Sequence, residues 1–153
     1  LVMAGALGND ASAVERAINR LDPAIAERVI RTGPVGDDAK RWLLAHARTL
    51  AYPSLDEGFG FPILEAQQQG VPVVASTGGS IPQVAGPAAL LSPPLDAEAL
   101  AANLYWIVTS DDMHAKLVRR GRVNLQRFSW ADTAGRLREL YVRLAEDRDG
   151  AVG

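Results

Sequence analysis

The sequence predicts an α/β protein in which a parallel β-sheet carries helices on both faces. Short apolar runs alternate with amphipathic segments from residue 1 to residue 95. Parallel neighbours need a long crossover between them, and a helix between successive runs supplies it. From residue 96 onward the pattern is helical. We therefore expect one α/β domain over residues 1–95, its carboxyl-terminal helices over 96–149, and a frayed tail at 150–153.

The first part of the chain predicts two strands and two helices. Residues 1–5, LVMAG, have the apolar character of a strand that is buried on both faces. Ser12 caps the first helix, Glu15 is its capping-box partner, and Pro23 stops it. The second strand is ERVIRTG and the second helix is DDAKRWLLAHA.

The middle of the chain continues the alternation around a glycine-rich loop. Pro62 suits the first position of the helix PILEAQQQ, because its missing N–H would be unpaired there. Gly70 suits the position just after that helix ends. The third, fourth and fifth strands are TLAYPS, VPVVAS and AALLSPP, and GGSIPQVAG is a glycine loop with a short helix.

The last part of the chain predicts helices with clear start signals. Asp96 caps the first of them, and Ser129 caps the last, with Asp132 three residues later. Apolar residues of the last helix recur at helical spacing, at Leu137, Leu140, Tyr141 and Leu144.

Composition and charge exclude several classes of function. A net charge of -2 gives no field that would draw the chain to nucleic acid. There is no cysteine for a disulfide framework, which fits a reducing compartment, and His46 and His114 are isolated histidines that predict no metal site. The strand LVMAG begins at the first residue, without an initiator methionine, so we expect a piece of a longer chain.

The loop after the third strand holds the residues with the clearest chemistry. Glu57 and Glu65 lie on either side of Gly58 and Gly60. In open α/β sheets ligands bind outside the carboxyl ends of the strands, where this loop lies. A helix that begins near Pro62 presents unpaired N–H groups that attract an anion such as phosphate, and glycine lets the backbone approach it closely.

The two glutamates need a neutral partner, because carboxylates repel phosphate. An ionised carboxylate accepts hydrogen bonds from both hydroxyls of a diol. A ligand that combines a diol, a diphosphate and a second polyol is a nucleotide-sugar. A simpler alternative stays open from the residues alone: Glu65 complements the helix dipole and Glu57 is an exposed loop residue.

Four segments resemble a known family in their order and spacing. They are PSLDEGFGFPILEA, GVPVVAS, GGSIPQVAG and AALLSPPLDAEALA. Together they resemble the carboxyl-terminal domain of retaining glycosyltransferases of GT-B fold, the glycosyl transferases group 1 type, whose E-x(7)-E motif falls on Glu57 and Glu65. The resemblance runs from LVMAG to the FSW that opens the last helix. It implies the Rossmann-like, donor-binding half of a GT-B fold, truncated at its amino-terminal end and lacking its first strand.

The resemblance implies a role for each part of the loop. Glu65 would bind the ribose hydroxyls of the donor. Glu57, the candidate catalytic residue, would lie near the sugar ring and the reaction centre. Backbone amides of Phe59, Gly60 and Phe61 would contact the diphosphate or the sugar.

The implied reaction transfers a hexosyl group from a nucleoside diphosphate sugar to an acceptor hydroxyl with retained configuration, as in polysaccharide biosynthesis. No metal or other cofactor is implied. The segment after RVIRTG packs on the nucleotide base in the family, which points to Gly33 and Val35. The acceptor, a saccharide or a lipid-linked sugar, would be held by an amino-terminal domain. The implied location is the cytoplasm, peripheral to the inner membrane face if the acceptor is lipid-linked.

One departure from the family predicts that this 153-residue chain is inactive by itself. The family's arginine and lysine that grip the diphosphate lie near a strand that precedes LVMAG. Losing two charged contacts of about 1.5–3 kcal/mol each would weaken donor binding roughly 10²–10⁴-fold. The run AQQQG also departs from the family's small residues, and there we expect only a packing change.

Other functions fit the residues less well. GFGFPI lacks the third glycine of a dinucleotide fingerprint. A two-carboxylate glycosidase would need a water-filled sugar cleft rather than helix amides between its carboxyls. A pyridoxal phosphorylase would need a Schiff-base lysine, but Lys40 and Lys116 lie in helical surface contexts. A non-catalytic nucleotide-binding module is the alternative that the residues leave open.

Overall fold

The chain forms two compact units, Leu1–His46 and Ala47–Gly153. The computed structural model describes residues 1–6, 8 and 10–150. Each unit alternates parallel strands with helices, as the sequence predicts. The predicted tail lies outside the described residues except for Gly150, the last residue of the final helix.

The first unit contains a two-stranded parallel sheet. Its elements are β1 (Val2–Ala4), α1 (Ala11–Asn19), α2 (Pro23–Ala26), β2 (Ile30–Gly33) and α3 (Asp37–Ala45). The prediction that the first strand is buried is wrong, because Val2 is 46% and Met3 36% exposed. A sheet of two strands has too little area to be covered on both faces.

The predicted start of α1 is also wrong. Its N-cap is Asp10, so Ser12 lies inside the helix rather than before it. The N–H groups of Ala13 and Val14 both bond to the carbonyl of Asp10. This turn starts the helix before Ser12 can cap it, and the predicted capping box with Glu15 does not form.

Pro23 begins a helix instead of stopping one. α1 has already ended at Asn19, and Pro23 is the first residue of α2. The side chain of Asp22 accepts a hydrogen bond from the N–H of Ala24 at 2.9 Å. The proline therefore occupies the helix start, where its missing N–H costs nothing.

The second unit contains a three-stranded parallel sheet in the order β3-β4-β5. Its elements are β3 (Leu50–Tyr52), α4 (Phe61–Gln68), β4 (Val73–Ser76), α5 (Ile81–Ala85), a 3-10 turn (Gly86–Ala88), β5 (Ala89–Ser92), α6 (Ala97–Thr109), α7 (Asp111–Leu125) and α8 (Trp130–Gly150). Tyr52 is paired with Ala75, one residue before the end of β4. The loops after β3 and β4 therefore leave the same edge of the sheet side by side.

The core of the second unit forms where α6 and α7 meet the central strand. All four residues of β4 are buried. Val74 of this strand packs with Ile107 of α6 and Leu117 of α7. Burial of apolar side chains of this size contributes about 1.5–3 kcal/mol each. This cluster therefore fixes β4, which is followed by the loop that contains Gly78, Gly79 and Ser80.

Most predicted helix ends in this unit are confirmed. Asp96 accepts a hydrogen bond from the N–H of Ala99 at 2.9 Å. Ser129 accepts one from the N–H of Asp132 at 3.2 Å. Gly70 follows α4 with a φ of +71°, the left-handed conformation that a C′ glycine adopts. These ends depend on residues within four positions of one another, which is why the sequence predicts them.

The last helix, α8, exposes the apolar residues that the sequence placed at helical spacing. Their exposed fractions are 48% for Leu137, 44% for Leu140, 67% for Tyr141 and 52% for Leu144. None of the described helices is both long and apolar enough to cross a lipid bilayer.

Candidate functional site

Helix α4 begins at a glycine that no other residue could replace easily. Gly60 is its N-cap, is buried, and has a φ of +97°. A Cβ at this position would lie 3.3 Å from Cδ1 of Ile63. Because Gly60 turns the chain so tightly, Phe61 is already the first helical residue. Pro62 is therefore the second helical residue. The prediction that it is the first is wrong.

The tip of α4 offers fewer N–H donors than a free helix end. Pro62 has none, and the N–H of Ile63 bonds to the carbonyl of Gly60 at 3.1 Å. In the part of the chain that the structure describes, the N–H groups of Phe59, Gly60 and Phe61 donate no hydrogen bond within the protein. These three amides can therefore donate to an anion at the positive end of the helix.

Two hydroxyl groups hold the side chain of Glu57, which is half buried at the other end of the loop. Ser54 Oγ donates to Glu57 Oε1 at 2.7 Å. Tyr52 also acts on this carboxylate, because its hydroxyl is the largest cause of the lowered pKa of Glu57. The hydrogen bond from Tyr52, followed by that from Ser54, holds the pKa of Glu57 below its usual range and outweighs the opposing effect of burial. Glu57 is therefore an ionised hydrogen-bond acceptor at neutral pH.

Tyr52 lies within reach of both glutamates of the motif. Burial raises the pKa of Tyr52, and its hydrogen bond to Glu57 and the charges of Glu57 and Glu65 raise it further. Both carboxylates thus act on the Tyr52 hydroxyl, Glu57 more strongly than Glu65. Glu65 is half buried within α4. Tyr52 is therefore a residue on which both glutamates of the motif act, while their predicted roles toward a donor stay predictions.

The loop after β4 packs against the main chain of Glu57. Ser80 donates to the carbonyl of Glu57 from its N–H at 3.0 Å and from its Oγ at 2.9 Å. A Cβ on Gly78 would lie 2.3 Å from the carbonyl oxygen of Leu55, and one on Gly79 would lie 2.5 Å from that of Glu57. Only glycine permits this contact between the two loops.

Sequence reasoning missed these supporting residues. It gave no site role to Tyr52, Ser54 or Ser80. The signal that could have found them is the order of the strands: consecutive parallel strands that are neighbours in the sheet bring their following loops together.

The aromatic residues of the loop are exposed and lie beside the start of α8. Phe59 and Phe61 have ring centroids 4.7 Å apart. Phe59 meets Phe128 edge-on at 5.9 Å, and Phe61 stacks near Trp130 at 6.4 Å. Phe61 is 51% and Trp130 78% exposed. These contacts hold the loop against the turn into α8.

Gly33 and Val35 belong to the first unit. Gly33 ends β2 with a φ of +68°. It lines a cavity of about 210 Å³ together with residues that include Gly5 and Arg31. Val35 is half buried in the turn before α3. Their predicted packing on a nucleotide base stays a prediction.

His46 packs against an aromatic side chain of its own helix region. The ring of His46 stacks on Trp42 with a centroid distance of 4.3 Å. Among the side chains that the structure describes, no three His, Cys, Asp or Glu residues come together in a way that could hold a metal ion.

The fold and the site define a class of domain. It is an α/β domain with a loop at the carboxyl edge of a parallel sheet, in which unpaired backbone amides lie between two glutamates in the sequence. Residues 1–110 match the family described as "Glycosyl transferases group 1". The chain belongs to this family, as the resemblance of its motifs indicates.

Known relatives share extended similarity with the chain. The O-antigen chain mannosyltransferase B of Escherichia coli is 43% identical over 98 residues, which are 64% of this chain and 26% of the relative. The MMP alpha-(1->4)-mannosyltransferase of Mycolicibacterium hassiacum is 35% identical over 123 residues, 78% of this chain and 30% of the relative. The chain thus spans between a quarter and a third of the length of these relatives.

Solved structures share the fold. Sucrose-phosphate synthase from Thermosynechococcus elongatus matches with a TM-score of 0.83 and 26% identity, over 96% of this chain and 39% of that protein. Anabaena HepE in complex with UDP-glucose matches with a TM-score of 0.81 and 23% identity, over 93% of this chain and 40% of that protein. The predicted GT-B-type α/β fold is confirmed.

Proposed function

We propose that the chain is the nucleotide-sugar-binding part of a retaining glycosyltransferase. The complete enzyme would transfer a hexosyl group from a nucleoside diphosphate sugar to the hydroxyl of a saccharide or lipid-linked acceptor. The names of the relatives support the hexosyl group, since both are mannosyltransferases. The complex of HepE with UDP-glucose supports a nucleoside diphosphate donor.

The observation that carries the proposal is the arrangement of charges around the α4 loop. The N–H groups of Phe59, Gly60 and Phe61 are available to an anion, while Glu57 and Glu65 supply carboxylates nearby. A diphosphate in contact with the amides would have a polyol on each side. Glu57 would then accept hydrogen bonds from the transferred sugar and Glu65 from the ribose.

The amides would also contribute to catalysis. Breaking the bond between sugar and diphosphate leaves growing negative charge on the leaving group. N–H donors that already point at that charge stabilise the transition state more than the ground state. We propose that this stabilisation, together with cationic groups outside these residues, makes a metal ion unnecessary, so that transfer by the full-length enzyme would persist in EDTA.

We further propose that these 153 residues bind the donor weakly and do not transfer sugar by themselves. They span between a quarter and a third of the relatives, so a complete enzyme would have the acceptor site and the diphosphate-binding cations elsewhere. The full enzyme would act in the cytoplasm, which the absence of cysteine fits. Calorimetry that found micromolar affinity of this chain for a nucleoside diphosphate would contradict the weak-binding proposal.

A donor screen on the full-length protein tests the proposed function. UDP-, GDP- and ADP-hexoses are offered in turn, and release of the nucleoside diphosphate is measured with and without an acceptor. The wild-type enzyme should turn over one donor class. Glu57→Gln and Glu65→Gln should each lose most of that turnover. Glu139→Gln, on the exposed surface of α8, is the matched control and should retain activity.

The same screen can reject the proposal. Equal turnover by wild type and both glutamine variants would remove the glutamates from the reaction. A fully folded protein that binds nucleotide but turns over no hexose donor would favour a non-catalytic nucleotide-binding module.

A further inference from the structure

We propose that Tyr52 and Ser54 are positioning residues that aim the carboxylate of Glu57 at the donor sugar. The inference rests on the proposed function, since it concerns how Glu57 meets a polyol. It adds two residues to which neither the motif nor the family resemblance assigned a role.

The main chain of Glu57 is fixed by the loop after β4. Its carbonyl accepts from the N–H and from Oγ of Ser80, at 3.0 and 2.9 Å. A Cβ on Gly79 would lie 2.7 Å from the nitrogen of Glu57, so the two backbones are in direct contact. Ser76 Oγ donates to the carbonyl of Ser54, which ties the preceding turn to the buried strand β4. The backbone that carries Glu57 therefore cannot swing away from the sheet edge.

The side chain of Glu57 is fixed by Tyr52 and Ser54. Ser54 lies three residues before Glu57, and its Oγ donates to Oε1 at 2.7 Å. Tyr52 is the last residue of β3 and is therefore held by the sheet. A Cβ on Gly60 would lie 3.9 Å from Cε1 of Tyr52, which places the ring beneath the tip of α4. In the proposed network Tyr52 thus ties the carboxylate to a rigid strand, while Ser54 ties it to the loop.

These contacts leave a defined capacity for a ligand. An ionised carboxylate has about four lone-pair positions. The hydroxyl of Ser54 occupies one of them, and in the proposed network the hydroxyl of Tyr52 takes a second. Two positions are left, which matches the two donors of a vicinal diol. The network therefore presents Glu57 as a diol acceptor of fixed orientation, which favours a donor sugar with adjacent hydroxyls.

The same hydrogen bonds make the ionisation of Glu57 dependent on both hydroxyls. Among the titratable groups, Tyr52 of β3 acts on Glu57, Asp56 is its neighbour in the chain, and Glu65 of α4 acts on Tyr52. No cation is among the causes of the lowered pKa of Glu57, which are the hydrogen bonds from Tyr52 and Ser54. Removing either hydroxyl should therefore raise the pKa of the carboxyl.

The test uses the full-length enzyme with the hexose donor found in the screen. Tyr52→Phe and Ser54→Ala should each lower kcat/KM for that donor about 10-fold. Each should also move the acid limb of the kcat/KM profile to higher pH, because Glu57 must be ionised to accept from the sugar. The controls Tyr105→Phe and Ser12→Ala change exposed residues outside the site and should leave both measurements unchanged.

A double-mutant cycle separates positioning from a structural role. If Tyr52 acts through Glu57, Tyr52→Phe should cost little further activity in a Glu57→Gln background. Full additivity, or an acid limb that stays in place in both hydroxyl variants, would overturn the inference while Glu57→Gln alone still lowers transfer strongly. If Glu57→Gln itself retains full activity, the proposed function fails instead, so the two failures are distinguishable.

Discussion

The hydroxyl of Ser80 lies 2.9 Å from the carbonyl oxygen of Glu57 and 2.8 Å from that of Phe59. Ser80 is the N-cap residue of α5, yet its side chain makes no capping bond to that helix. The hydroxyl instead ties the loop after β4 to the loop after β3. Because both loops leave the same edge of a parallel sheet, one short side chain can join them.

Removing this hydroxyl should loosen the candidate site with a small loss of stability. Ser80→Ala should lower the free energy of unfolding by about 0.5–1.5 kcal/mol, the usual net contribution of one hydrogen bond. Urea denaturation followed by circular dichroism measures it. Ser12→Ala is the matched control. Ser12 is an exposed residue within α1, where alanine favours the helix at least as much as serine does. Equal stability of Ser80→Ala and wild type would contradict a tie between the loops.

Gly79 should tolerate no larger side chain. Its φ is +52°, and an added Cβ would lie 2.3 Å from Asp56 Oδ1 and 2.5 Å from the carbonyl oxygen of Glu57. Left-handed strain and overpacking together should make Gly79→Ala less stable by about 2–5 kcal/mol. Thermal and urea denaturation measure the loss.

The control for this substitution lies in the facing loop. An added Cβ on Gly58 would meet nothing within 4 Å, so Gly58→Ala should unfold at nearly the same urea concentration as wild type. If both glycine variants lose the same stability, the close contact at Gly79 is not the cause.

A buried polar pair should stabilise the packing of α4 on α7. Asn124 Nδ2 donates to Gln67 Oε1 and to the carbonyl of Val84, both at 2.9 Å. Asn124→Ala leaves both acceptors without this donor. It should lower the free energy of unfolding by about 1–3 kcal/mol. Asn19→Ala, at the exposed end of α1, is the control and should change it little.

Gln67 should behave differently from its partner. Among the described residues, its buried Nε2 has no hydrogen-bond partner. Gln67→Met keeps the volume and removes this unsatisfied group, and Asn124 retains its bond to Val84. The methionine variant should therefore lose less stability than Asn124→Ala in the same urea titration, and a larger loss would refute this reading of the pair.

The stability of the chain should decline in alkali because of Tyr52. Its pKa in the folded state is raised above the usual value of about 10 for tyrosine, chiefly by burial and then by the hydrogen bond to Glu57. Above about pH 10 the unfolded chain releases this proton while the folded chain keeps it, so stability is lost as pH rises. Urea titrations from pH 7 to 11 measure the slope.

Tyr52→Phe should remove that part of the alkaline slope. Tyr105→Phe, at a tyrosine that is 72% exposed, should keep it. If Tyr52→Phe lost stability with rising pH as steeply as wild type, another titrating group would be the cause.

Local signals explain which elements could be predicted. Asp96, Ser129 and Gly70 act on residues within four positions of themselves, and all three predicted helix ends are confirmed. The prediction for Ser12 was wrong because the carbonyl of Asp10 already accepts the first bonds of α1, from the N–H groups of Ala13 and Val14. AQQQG does more than pack, because Gln67 joins a buried hydrogen-bond network with a residue 57 positions away.

The sequence by itself determined the alternation of strands and helices, the family, and the pair Glu57 and Glu65 around a glycine loop. Each follows from residue spacing within short segments. Only the tertiary structure decided that Tyr52 and Ser54 hold Glu57, and that Ser80 and Gly79 brace its backbone. Ser80 meets Glu57 across 23 positions because β3 and β4 pair in register and end together. Spacing along a chain does not encode that register, which the burial of β4 against α6 and α7 sets.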